Sequence, residues 1–140
     1  MKRSTKYLSG MFLGLVLTVS AVPGSAQVAR SLKVTVPFNF VVANKEFKAG
    51  DYVIEREGET GFLIIRSKDD DGQQIVSSIP KESNKTGNHE RLIFHRYGNE
   101  HFLAQIWFSS DEGGHELIRG AQEKTAAANE SASNQAVAGQ

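Results

Sequence analysis

Read as apolar and polar positions, the middle of this chain keeps a period of two. Leu32, Val34, Val36, Phe38, Phe40 and Val42 alternate with Lys33, Thr35, Pro37, Asn39 and Val41. That rhythm predicts one long strand with a buried face and a mostly polar face. Pro37 has no N–H to give a ladder, so it belongs on an edge or at a bulge. Ala43-Asn44-Lys45 turns the chain, Phe47 follows, and Ala49-Gly50-Asp51 reads as a second tight turn. Tyr52 to Glu57 predicts the next strand, and Gly58 to Gly61 closes a hairpin onto Phe62-Leu63-Ile64-Ile65-Arg66-Ser67. The apolar run in that strand is continuous, as expected when both faces of a strand are covered.

Asp69-Asp70-Asp71-Gly72 turns into a strand from Gln74 to Ile79, and Pro80 to Glu90 reads as a longer polar loop. Arg91–Tyr97 and His101–Phe108 form the last clear hairpin, and Leu117-Ile118 is a candidate short final strand. Two registers compete in this hairpin. A two-residue Gly98-Asn99 turn of type II′ pairs Phe94 with Leu103 and is the preferred reading on turn chemistry. A three-residue loop would pair Phe94 with Ala104 and gather Leu92, Phe94, Phe102 and Ile106 on one face. About six to eight short strands with frequent turns predict an all-β domain, a small antiparallel β-sandwich or a partly open barrel. No core segment has helical periodicity.

Composition changes this picture at both ends. Lys2, Arg3 and Lys6 precede an apolar stretch from Tyr7 to Val22, then Pro23, Gly24, Ser25 and Ala26. A basic end, a short apolar centre and small residues are the order of a secretory signal. Gly24 and Ala26 place the expected cleavage before Gln27, so residues 1–26 are read as a signal peptide. The apolar stretch falls short of the roughly 20 residues of a membrane span, so none is expected after cleavage. Loss of Lys2, Arg3 and Lys6 turns 16 basic against 16 acidic residues into 13 against 16. A mildly acidic product has no electrostatic footprint for nucleic acid. The chain has no cysteine, so an exported domain must be held by its core rather than by disulfides.

The aromatic residues after the signal all lie between Phe38 and Phe108. Residues 27–120 are therefore expected to carry the β domain. Ala121 to Gln140 is Ala, Ser, Asn and Gln with a few charges, and Val137 is its only large aliphatic. Such a segment buries too little apolar area to offset its ordering entropy, and it is expected to be disordered.

Three phrases stand out together: Val34-x-Val36-Pro37-Phe38-x-Phe40, Ala49-Gly50-x-Tyr52-x-Ile54, and Phe94-His95-Arg96-Tyr97-Gly98 with Phe102-Leu103 and Trp107. The set, spanning Leu32 to Leu117, resembles a group of small secreted bacterial proteins of uncharacterised function. The resemblance implies export and a β domain, and brings with it no activity, ligand or catalytic residue.

Catalytic chemistry finds little to work with. The three consecutive acids of Asp69-Asp70-Asp71-Gly72 lack the alternate spacing and the terminal bidentate Glu of a calcium loop. A solvated turn explains them. His95 and His101 flank a hairpin turn and are candidate metal ligands, if Glu100, Asp111, Glu112 or His115 complete the three or four donors zinc needs. No Gly-x-Ser-x-Gly elbow and no phosphate-cradling glycine loop is present, and no cofactor is called for. Arg96, Tyr97 and Trp107 are residue types enriched at binding hot spots, and are the candidate binding residues. They set against each other a contact face and a plain structural role, with Trp107 as core anchor and Tyr97 as turn brace. The sequence reading is thus an exported, non-catalytic binding module for a protein, small-molecule or glycan partner, in periplasm or medium. The alternatives are a secreted metal-dependent hydrolase on His95 and His101, or an envelope component using the tail as a spacer.

Overall fold

The structure is a computed structural model and describes residues 30–58, 60–82, 89–109 and 113–140. The expected signal peptide and its cleavage site, Asp111 and Glu112 lie outside the described residues. Among those described, no helix is long and apolar enough to cross a membrane.

Alternation builds the chain as expected into an all-β fold. Its elements are β1 Ser31–Val36, β2 Phe40–Val42, β3 Lys45–Phe47, β4 Gly50–Glu57, β5 Phe62–Ser67, β6 Gln73–Lys81, β7 Arg91–Tyr97, β8 Glu100–Trp107 and β9 Gly114–Leu117. A helix α1, Ala121–Asn129, and a strand β10, Ser133–Ala138, complete them. The strands form one open sheet in the order β1-β4-β5-β6-β9-β8-β2-β3, with β7 paired to β8 and β10 paired to β7. The sheet curls until its ends approach. The Gln140 N–H donates to the Lys33 carbonyl at 2.9 Å, a single backbone bond where a closed barrel would have a ladder. The interior is filled by Leu32, Val34, Val36, Phe40, Ile54, Leu63, Ile65, Leu92, Phe94 and Ile106, with Tyr52 and Phe47.

Several expectations need correction. The long strand from Leu32 to Val42 is two strands, broken at Pro37. β1 pairs antiparallel with β4, whereas β2 pairs with β3 and, in parallel, with β8. Without an N–H at residue 37 the ladder cannot run through, and the chain changes neighbours there. The β2–β3 turn takes positive φ at both Ala43 and Asn44 (46° and 70°), the conformation of a type I′ hairpin.

The β7–β8 hairpin uses both registers in turn. Tyr97 faces Glu100 and Phe94 faces Leu103 around Gly98-Asn99, with only Gly98 at positive φ (56°), as type II′ requires. A bulge between Ile93 and Phe94 then shifts the pairing, so Leu92 faces Ile106. One extra residue on β8, Ala104, reconciles turn chemistry with a continuous apolar face. Leu103 and Ile106 therefore enter the main core, while Phe102 points to the other side, against Val41 and Tyr97.

The expected disorder of residues 121–140 is overturned. α1 lays Ala126 and Ala127 on the Val41–Tyr97–Phe102 cluster, and β10 runs antiparallel along β7 from Ser133↔Arg96 to Ala138↔Arg91. Composition misled because this segment needs little apolar area of its own. Its backbone groups are satisfied by β7, small alanines allow close approach, and Val137 packs at the rim of the main core. Asn44 Oδ1 accepts from the Gln122 N–H at 3.0 Å, supplying from another element the cap that Gly120 cannot give.

Candidate functional site

The expectation that both faces of β5 are covered fails, and the failure marks the site. Leu63 and Ile65 are buried, but Phe62 remains 44% exposed and Ile64 is half-buried. The large apolar side chains exposed among the described residues are Phe62, Ile75 (54%), Ile79 (59%) and Ile118 (58%). They are not scattered. Phe62 lies directly opposite Ser77, and Ile75 and Ile79 stand two residues to either side of Ser77 on the same face of β6. Leu117, the last residue of β9, faces Ser78, and Ile118 follows it just past the end of the strand. Ile64 faces Ile75 and extends the patch. Phe62, Ile75 and Ile79 thus surround one small serine on the outer face of the sheet, and exposed Ile118 comes directly after β9, the strand on the other side of β6.

Charged pairs rim this patch. Arg66 contacts Glu55 at 3.1 Å, and Lys81 contacts Glu116 at 2.6 Å. The Lys81 hydrogen bond holds the Glu116 carboxyl below its ordinary pKa against a smaller opposing effect of burial. An apolar centre with a polar, mixed-sign rim is the anatomy of a protein contact surface.

The structure separates the residues singled out from sequence. Tyr97 is buried (4% exposed) with Phe102 and Val41 beneath α1, where it braces the turn and contacts the helix. Arg96 is exposed and turns its Nε to the Gly98 carbonyl at 2.8 Å. Trp107 stands at the far end of the hairpin, roughly 20 Å away by strand rise. It is no core anchor. Half-buried, it lies flat over Gly114, carries the Arg91 guanidinium 5.5 Å above its ring, and donates from Nε1 to Gln105 at 3.1 Å. Arg96 and Tyr97 therefore do not form one surface with Trp107.

The candidate metal ligands diverge as well. His95 faces Phe102 across the hairpin, and His101 faces Arg96, so the two imidazoles project from opposite faces. The Nδ1 of His95 meets the Glu123 carboxyl at 2.7 Å. His101 stacks on Phe38 with ring centroids 4.0 Å apart and meets Gln135 at 3.2 Å. Among the described residues no three His, Cys, Asp or Glu side chains converge as a metal site. The Asp69–Gly72 turn uses its acid internally, Asp70 Oδ1 accepting from the Gly72 N–H at 2.6 Å.

The fold does bring together one pair invisible in sequence. His115, 4% exposed, has Nδ1 2.9 Å from the Ser78 hydroxyl. That hydroxyl also lies 2.6 Å from the Gly61 carbonyl and donates its one proton there. His115 consequently donates from Nδ1–H to Ser78 and is not the base of an activated serine. Burial, with a smaller contribution from Arg56, pushes the His115 pKa below its ordinary value. The pair ties β6 to β9 behind the patch.

An open hollow of about 490 Å³ lies between Tyr97, Arg119 and residues 127–132, the last turn of α1 and the chain just after it. Compared with protein-family models, curated proteins and solved structures, the chain matches none. The site is therefore read from its geometry.

Proposed function

We propose that the protein is an exported, non-catalytic interaction module that docks a partner protein on the Phe62–Ile75–Ile79–Ile118 patch. The single observation carrying this reading is that Phe62, Ile75 and Ile79 stand exposed on one face around Ser77, and that the remaining large exposed apolar side chain among the described residues, Ile118, directly follows the neighbouring strand β9. β5 carries the unbroken apolar run of a doubly covered strand, yet this chain covers only one side of it. A partner would supply the second cover. The patch lies on a sheet face and the hollow lies elsewhere, by α1, which favours a protein surface over a small molecule, since small-molecule sites are concave. With Phe62 its only aromatic residue, the patch offers a glycan little platform. The basic leader and the small residues before Gln27 support export, as does the likeness to small secreted bacterial proteins.

The test places a photo-crosslinking amino acid at Ile75, at Ile79 or, as control, at Lys33 on the polar outer face of β1, in the natural host. A discrete adduct is expected from Ile75 and Ile79, competed by added wild-type protein. It should disappear when Phe62→Ser and Ile118→Ser are introduced together. An adduct pattern no different from that at Lys33 overturns the reading. N-terminal sequencing checks export: the recovered product should begin at Gln27, and an intact Met1 overturns that part.

A further inference from the structure

The β7 edge carries a second inference, independent of the patch. β7 is flanked by β8 on one side and by the chain's own C-terminal strand on the other. We propose that this edge also accepts residues 121–140 of a second copy of the chain, giving a dimer with exchanged C-terminal segments.

Three observations point there. First, the segment is held mainly through its backbone. Six paired positions join β10 to β7, yet most β10 side chains are exposed and α1 contributes chiefly alanines. Few apolar contacts make such a unit the first to open. Second, the contacts that choose the occupant match this sequence. His95 takes Glu123, His101 takes Gln135, Asn44 caps at Gln122, and Leu32 and Glu90 leave room only for a glycine at residue 139. A β-carbon built on Gly139 would lie 2.6 Å from Leu32 Cδ1 and 2.7 Å from Glu90 Cβ. An unrelated strand would leave His95 without its carboxyl; an identical segment restores each contact. Third, the connector from β9 to α1 is only Ile118, Arg119 and Gly120. Gly120 is already extended (φ −72°, ψ 172°), and Ile118 is largely exposed. Straightening the connector sends α1 and β10 to a neighbouring molecule while every acceptor stays in place, the geometry of a domain swap.

The absence of cysteine gives a clean test. Two full-length variants are made, Ile93→Cys and Ala136→Cys, at positions directly paired across β7 and β10. Direct partners have Cβ atoms about 4.5–5.5 Å apart, within reach of a short thiol-to-thiol crosslinker. The variants are mixed, unfolded in urea, refolded together at high concentration and crosslinked. A covalent dimer is expected, at least tenfold above that from Ile75→Cys mixed with Ala136→Cys, and falling when refolding is done dilute. A chain carrying both Ile93→Cys and Ala136→Cys should crosslink within itself. If it does and the mixture yields no dimer beyond the control, exchange is refuted. If the double variant crosslinks neither within a chain nor between chains, β10 does not occupy the β7 edge and the proposal falls with it. Neither result touches the adducts expected at Ile75 and Ile79, so the two proposals fail separately.

Discussion

Glu123→Ala probes the docking of the C-terminal segment most directly. Glu123 is 5% exposed, and its carboxyl sits 2.7 Å from His95 Nδ1 with Arg119 Nε at 3.6 Å. Truncation removes the partner of a ring nitrogen whose side chain is itself only 15% exposed. Leaving a buried polar group unmade costs about 1–3 kcal/mol, and the half-exposed Arg119 adds at most a few tenths. A loss of about 2 kcal/mol corresponds to roughly a 30-fold change in an opening equilibrium. The segment has an alternative that a core element lacks, because it can leave the surface and let water satisfy His95. The loss should therefore be local. Hydrogen exchange followed residue by residue should show amides of α1 and β10 exchanging about 30-fold faster, with Ile54, Leu63 and Ile65 unchanged. Glu123→Gln keeps an acceptor oxygen and should recover much of the protection. Equal acceleration in β4 and β5 would refute the reasoning, by showing that the segment unfolds only with the core. A change below threefold in α1 and β10 would show that the Glu123 contacts contribute nothing.

Other outcomes follow from the same structure. Gly114→Ala would put a β-carbon 2.6 Å from the Trp107 ring; it should cost about 1–3 kcal/mol and shift the fluorescence of the sole tryptophan. Because the His115 pKa is lowered by folding, the unfolded chain binds its proton first as pH falls below about 6.5. Stability present above that pH should then decline, by up to about 1.4 kcal/mol per pH unit, down to the folded pKa. Urea titrations across that range should lose this slope in His115→Gln, and an unchanged slope would count against the buried neutral imidazole. Leu63→Ala should cost about 2–5 kcal/mol, whereas Ile75→Thr on the open face of neighbouring β6 should stay within about 0.5 kcal/mol. Comparable losses would mean that the outer face is covered within the chain.

Period-two alternation was enough to predict the all-β class, β4, β5 and the β7–β8 hairpin, because the pleat sends successive side chains to opposite faces whatever the sheet's final shape. The turn at Gly98-Asn99 was legible too, since glycine supplies the positive φ that type II′ needs. Pro37 announced an interruption, though its position alone could not say that the chain would exchange β4 for β8 there. The bulge at Ala104 was foreshadowed only as two competing registers. Tertiary structure decided the rest. His95 and His101 are six residues apart and fall on opposite faces, and Arg96, Tyr97 and Trp107 share a hairpin without sharing a surface. Ser78 and His115 meet only because β9 returns beside β6. Residues 121–140 fold against expectation because a strand can borrow its hydrogen bonds from an existing edge, and composition counts only apolar area. The patch itself lay in view as the unbroken run Phe62 to Ile65. The sequence showed that β5 has two apolar faces, but only the packed chain shows which one remains open, because cover is a property of neighbours.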